Sequence, residues 1–151
     1  MSKEEFMQEA IKEALKGRDL DEVPVGAVIV KDDKIIARAH NEKEKHKDAT
    51  KHAEMVCLSK AAKELGSWWL EDCDMYVTLE PCAMCVGGMI NSRIRKLYVG
   101  TMDPKSGCAG SVVNLLAPGL FNHNIEFENG VLEKECGQIL SDFFKGKRQK
   151  K

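Results

Sequence analysis

Residues 75–100 read MYVTLEPCAMCVGGMINSRIRKLYVG. The run from Met75 to Leu79 is short, apolar and partly β-branched, and so is the run from Lys96 to Gly100, which predicts two strands. Between them Pro81 opens a helix that reaches about Asn91, because proline is tolerated in a first helical turn, where its missing N–H would have had no intrahelical acceptor. Strands alternating with helices favour a sheet with parallel members and helices on both faces.

Working outward toward the N-terminus, Phe6, Ala10, Ile11, Ala14 and Leu15 recur at helical spacing, with Gly17 placed as a C-terminal cap. Val23 to Val30 is a nearly continuous apolar run with Pro24 at its start, and Lys31-Asp32-Asp33-Lys34 is a turn into Ile35 to Ala39, so the pair predicts a hairpin. His40 to Lys51 is a polar loop leading to a helix from about Thr50 to Leu65, capped by Asp48 or Thr50 and closed by Gly66. Toward the C-terminus, Met102 to Gly110 is a loop rich in Gly, Pro and Ser, followed by a short apolar stretch from Val112 to Leu116. A strand over Ile125 to Glu128 and a turn at Asn129-Gly130 come next. In the last helix, Leu132, Cys136, Ile139, Leu140, Phe143 and Phe144 form one apolar stripe. There is no internal repeat, linker or low-complexity segment.

A chain of 151 residues with 43% hydrophobic content has the size of one domain, 1–151, able to bury most of its apolar side chains in one core. No stretch approaches the roughly 18 consecutive apolar residues that span a bilayer, and Met1 to Phe6 lacks an apolar leader core, so a soluble, intracellular protein is expected. A core of this size needs no staples, so the six cysteines are read as reduced thiols. Cys57 and Cys136 fall on apolar helix faces as small hydrophobes, while Cys73 and Cys108 fall in loops without an assigned role. The formal net charge of −1 excludes a globally basic nucleic-acid-binding surface. Positive charge is nevertheless local: Lys145, Lys147, Arg148, Lys150 and Lys151 make a basic tail over 145–151, and Arg93, Arg95 and Lys96 a second cluster.

The residues that carry chemistry are His52-Ala53-Glu54 and Pro81-Cys82-Ala83-Met84-Cys85, each at a helix N-terminus. Unpaired N–H groups and the helix dipole there favour thiolate over thiol, the form that binds a metal. Cys82 and Cys85, three apart, project from one helical face, and with His52 they supply three ligands to one zinc ion. Structural zinc sites fill all four positions from protein, whereas catalytic sites leave one for water. Glu54 is too close to His52 to be an equal fourth ligand, but it is well placed to move protons as a general acid and base. The bland alternative is a structural zinc completed by Cys57 or Cys108.

The pairing of H-x-E with P-C-x-x-C is the established signature of zinc deaminases. On that pairing, together with Glu22-Val23-Pro24-Val25-Gly26-Ala27-Val28, Asn41, residues 102–111, Phe121-Asn122-His123 and Ser141-Asp142-Phe143-Phe144, the chain resembles the bacterial tRNA-specific adenosine deaminases of the zinc-dependent cytidine/deoxycytidylate deaminase superfamily. The likeness runs from about Asp21 to Gln149. It departs from the family pattern at Ala49 and at Lys51, which abuts His52.

The resemblance implies a three-layer α/β/α, cytidine-deaminase-like fold with a central mixed sheet of about five strands, and one zinc ion per subunit of a cytoplasmic homodimer. It implies hydrolytic deamination of adenosine to inosine at the wobble position of a tRNA anticodon, with water activated by zinc attacking C6 and Glu54 shuttling the proton. By the same likeness Asn41 hydrogen-bonds the purine, Val25 and the Ala53 backbone line its pocket, and Asp103, Lys105, Asn122 and His123 meet flanking nucleotides. Phe144, Lys145 and Arg148 would contact the anticodon loop by stacking and phosphate pairing. From the residues alone, Asn41 could instead cap a turn and Phe144 could pack in the core. Deamination of a free base or nucleotide (guanine, cytosine or deoxycytidylate) and a non-catalytic zinc-binding module are the competing functions.

Overall fold

A computed structural model describes residues 1–149 of the chain; Lys150 and Lys151 of the basic tail lie outside the described residues, as do the side chains of Arg148 and Gln149. The elements run α1 (Lys3–Asp19), β1 (Gly26–Lys31), β2 (Lys34–His40), α2 (Lys43–His46), α3 (Ala53–Leu65), β3 (Cys73–Leu79), α4 (Ala83–Ser92), β4 (Lys96–Thr101), β5 (Glu126–Glu128) and α5 (Glu133–Gln149). They build one five-stranded mixed sheet in the order β2-β1-β3-β4-β5. β1 is antiparallel to both β2 and β3, whereas β3, β4 and β5 run parallel. The β1–β2 hairpin turns on Asp32 and Asp33, both at positive φ as a two-residue primed turn requires.

Strand periodicity divides the core between the two sheet faces. Ala27, Ile29, Met75, Val77, Leu97 and Val99 point to one side, where Cys57, Leu58 and Ala61 of α3 and Val86, Met89 and Ile90 of α4 cover them. The alternate residues Val28, Val30, Tyr76 and Tyr98 point to the other side, against Phe6, Met7, Ala10 and Ile11 of α1 and Cys136 and Ile139 of α5. This is the expected three-layer α/β/α arrangement. Tyr76 and Tyr98 stack across the parallel pair β3–β4 with centroids 4.2 Å apart.

Several element ends differ from the sequence reading. Gly17 is not a cap: α1 continues to Asp19, Leu20 is the C-cap, and Asp21 takes the left-handed position. A Cβ on Gly17 would lie 3.2 Å from that of His40, so the glycine serves the approach of β2 instead. The helix expected from Thr50 starts at Ala53, because Asp48 bonds the Thr50 backbone and hydroxyl locally and neither residue reaches the helix. Pro81 precedes α4 and is not inside it; the N-cap is Cys82, in extended conformation, and the Pro81 carbonyl accepts the Cys108 N–H at 2.9 Å. The polar loop contains the short helix α2, the strand expected from Val23 begins at Gly26, and Cys73 is the buried first residue of β3, not a loop residue. Gly66 does close α3, at φ 64°.

Gly26 marks where α1 meets the sheet: a Cβ there would stand 1.9 Å from the Ala10 carbonyl oxygen and 2.5 Å from the Ala14 nitrogen. Backbone cannot yield as a flexible side chain can. Gly26→Ala is therefore expected to lower stability by about 2–3 kcal/mol in urea titration, the upper part of the usual range for overpacking. An unchanged midpoint would show that α1 can lift off β1 without loss.

Candidate metal and active site

β3 ends at Leu79 and β4 at Thr101, which are register partners, so the segments that follow them leave the sheet side by side. One returns as α4 and the other as the loop 102–111, and a cleft opens at these carboxyl ends of the parallel strands, the usual ligand position in α/β sheets. The cleft has a volume of about 830 Å³, near the upper end of the roughly 300–1,000 Å³ typical of ligand pockets. His52, Glu54, Cys82, Val25 and Asn41 line it together with Asp103, Lys105 and Phe144.

His52 and Cys82 occupy equivalent places. Each is an N-cap in extended conformation, His52 at ψ 150° on α3 and Cys82 at ψ 177° on α4, so the two neighbouring helices direct their N-termini to one point. His52 Nδ1 lies 3.6 Å from Cys82 Sγ and 3.5 Å from Cys85 Sγ, and the two sulfurs are 3.8 Å apart. Bonds of about 2.3 Å to sulfur and about 2.05 Å to nitrogen at tetrahedral angles require sulfurs about 3.8 Å apart and each about 3.6 Å from the nitrogen. The triad therefore fits one metal ion without rearrangement. Among the described residues it is the one such grouping of His, Cys, Asp and Glu. The thiols that could have closed the site stand outside the grouping: Cys57 donates to the Ala27 carbonyl and Cys108, beside the start of α4, to that of Ser106.

The electrostatics suit a cation. Donation from the Cys85 thiol, aided by the N–H groups of the first turn of α4 and by His52, pushes the Cys82 thiol down to about 5. Cys85 is pushed up by holding the shared proton, by burial and by Glu54. Glu54, at the second position of α3, is only 4% exposed, and burial pushes its carboxyl up to about 7. A cation in the triad would draw that value back down.

Asn41 holds the α3 N-terminus in place: its Oδ1 accepts the Ala53 N–H at 2.7 Å while its Nδ2 donates to the Val23 carbonyl at 3.2 Å. The capping role open for Asn41 is thus filled, at the helix and not at a turn. Ala53, expected in the pocket lining, is wholly buried and not part of the cleft wall, and its N–H is engaged by Asn41. Phe144 leaves the apolar stripe of α5 and stands 45% exposed on the cleft wall, so core packing does not account for it. Asn122, His123 and Lys145 do not line the cleft; His123 donates from Nε2 to the Ile94 carbonyl at 2.7 Å, a tie between loops. Nor does Lys51, whose carbonyl accepts the Glu42 N–H. Arg148 falls on α5, its side chain outside the described residues.

Sequence reasoning gave no site role to Lys43 and Lys147, which join Lys105 on the cleft wall, or to the buried carboxylates Glu22 and Glu80. The first two were hidden in ordinary charge runs. A glutamate between Leu79 and Pro81, at the end of an apolar strand, was the available signal for Glu80.

The model of the MafB19-like deaminase family matches residues 1–148. The tRNA-specific adenosine deaminase of Bacillus subtilis (strain 168) is 51% identical over 146 residues, covering 97% of this chain and 91% of the relative. That of Aquifex aeolicus (strain VF5) is 45% identical, covering 96% and 95%. A solved structure from work on A-to-I editing by tRNA:A34 deaminases at the wobble position of transfer RNA superposes with a TM-score of 0.87 at 40% identity, over 90% of this chain and 99% of the other. The chain belongs to the tRNA-specific adenosine deaminases, within the MafB19-like deaminase family.

Loaded with cobalt(II), the protein should show thiolate-to-metal absorption corresponding to two sulfurs, and Cys85→Ala should bring cobalt binding to near zero. A three-thiolate spectrum would mean that a further cysteine closes the site.

Proposed function

We propose that the chain is a zinc-dependent hydrolase that converts adenosine to inosine at the wobble position of a tRNA anticodon, its residues 1–151 working as one domain. The observation that carries this reading is the open three-ligand triad with buried Glu54 on the floor of a cleft whose walls bear Lys43, Lys105, Lys147 and exposed Phe144. A free base would need the floor alone; a nucleic-acid loop needs the walls as well. The names of its close relatives agree with that choice.

Zinc held by His52, Cys82 and Cys85 would supply the Lewis acidity that makes water a competent nucleophile near neutral pH. Glu54 takes a proton from the attacking water and delivers it first to the purine ring nitrogen and then to the departing amino group, so that adenosine and water give inosine and ammonia. Burial raises the proton affinity of the Glu54 carboxyl and a bound cation would lower it, so the two act in opposite directions on the group that must both accept and release that proton. Val25 and Asn41 flank the purine, Asn41 with the hydrogen-bonding capacity left after its ties to Ala53 and Val23. C6 is unreachable in a stacked helix, so the nucleotide turns out of the loop into the cleft, at a cost of a few kcal/mol that is least in a loop. Phe144 stacks a flanking base, Asp103 and Lys105 meet neighbouring nucleotides, Lys145 and Arg148 pair with phosphates, and Asn122 and His123 meet flanking nucleotides.

The same reading includes a homodimer in the cytoplasm, where tRNA is processed. Apolar side chains left exposed at Val112, Val113, Leu120 and Phe121 are in keeping with a second copy, and sedimentation of the purified protein tests it.

Glu54→Ala should keep its zinc and lose inosine formation on an anticodon stem-loop by about 10²–10⁴-fold, the range for a general acid–base group. Normal turnover by that variant would remove Glu54 from the mechanism, and turnover confined to free guanine, cytosine or deoxycytidylate would reject the RNA substrate. Phe144→Ala removes one stacking surface worth about 1–3 kcal/mol, so KM for the stem-loop should rise roughly 5- to 150-fold with folding intact. An unchanged KM would return Phe144 to a purely structural role.

A further inference from the structure

Glu80 is a carboxylate buried to 3% exposure at the junction between β3 and the metal-binding turn. No cation pairs with it among the described residues. It is instead ringed by donors from one loop: Oε1 accepts the Asp103 N–H at 2.8 Å and the Ser111 hydroxyl, and Oε2 accepts the Ala109 and Ser111 N–H groups at 2.9 and 3.0 Å. Burial by itself would raise its proton affinity, but these four hydrogen bonds win and hold the carboxyl below the ordinary glutamate range. The loop is built around the anion. A Cβ at Gly107 would lie 2.1 Å from Oε1, and within the loop the Asp103 side chain accepts the Lys105 and Ser106 N–H groups.

We infer that Glu80 is a positioning residue for the substrate, fixing the loop 103–111 so that Asp103, Lys105 and Ser106 form one wall of the cleft in register with the metal triad. Glu80 is two residues from Cys82, and the Pro81 carbonyl between them accepts the Cys108 N–H, so the same loop is tied to the metal turn and to its own anion. The wall is thereby referenced to the metal turn, not to solvent. A loop of this length without helix or strand gains its definition from such buried charge-assisted bonds. Glu80 touches no reacting atom; it acts through the residues that it orders.

The inference rests on the RNA reading, and the test separates the two. Glu80→Gln preserves shape but turns an NH₂ group toward ring donors, and Gly107→Ala keeps the carboxylate's charge but sets a Cβ against Glu80 Oε1 and the Asp103 carbonyl, forcing loop and carboxylate apart. Both variants are assayed as zinc-loaded proteins on an anticodon stem-loop, beside the unaltered chain, with bound zinc and amide hydrogen exchange measured on each. Expected for both are full zinc content, faster exchange confined to 103–111, and a KM raised at least tenfold with a smaller fall in kcat. Should Glu80→Gln keep the KM of the unaltered chain, or lose kcat together with its zinc while exchange in the loop stays unchanged, the positioning role is overturned and the RNA reading stands. If the unaltered chain leaves the stem-loop unconverted, the RNA reading falls and the inference with it.

Discussion

Everything functional in this fold depends on bringing two helix N-termini to one point. An imidazole and two sulfurs within 4 Å of one another are costly to assemble, because each must leave water and lose conformational freedom. The fold meets that cost with backbone. His52 and Cys82 are held as N-caps in extended conformation, and the Cys85 thiol together with N–H groups of the first turn of α4 favours the thiolate of Cys82. Packing of both helices on one sheet face fixes their separation, so the distances among the three donor atoms are inherited from the core.

Around this point the cleft is framed by segments that lack regular structure and are ordered by buried polar side chains. Asn41 holds the start of α3 against the strand-leading residue Val23. Glu22 accepts the Glu44 and Lys45 N–H groups and so fixes the short helix that carries Lys43. Glu80 does the same for the loop after β4. Each is nearly inaccessible to solvent, and no buried side-chain polar atom among the described residues lacks a partner. The cleft wall is thus held from inside by buried polar side chains at Lys43 on α2 and Lys105 on the loop after β4, while Phe144 reaches it from α5.

Much of this was legible in the linear chain wherever a short-range rule governed it. The strand-helix-strand order of 75–100, the hairpin turn at Asp32-Asp33 and the close of α3 at Gly66 follow from periodicity and turn chemistry, and the structure has them. The metal triad was readable too, since Cys82 and Cys85 share one turn and His52 is set by its own helix start. Helix starts were less accurate. Thr50, Asp48 and Pro81 all look like first-turn residues, yet His52 and Cys82, both in the extended conformation usual at an N-cap, are the caps. Gly17 and Gly26 answer to neighbours distant in sequence, which no local pattern reveals.

What the sequence determined by itself, then, was the kind of chemistry and the layered α/β class, since donor types, their spacing within a turn and apolar period are all local properties. Tertiary structure alone decided that Cys57 and Cys108 stay out of the triad, that Phe144 faces the cleft instead of the core, and that Glu80 is an internal anchor. Those outcomes depend on where strands and helices far apart in the chain come to lie against one another, and only the packed sheet fixes that.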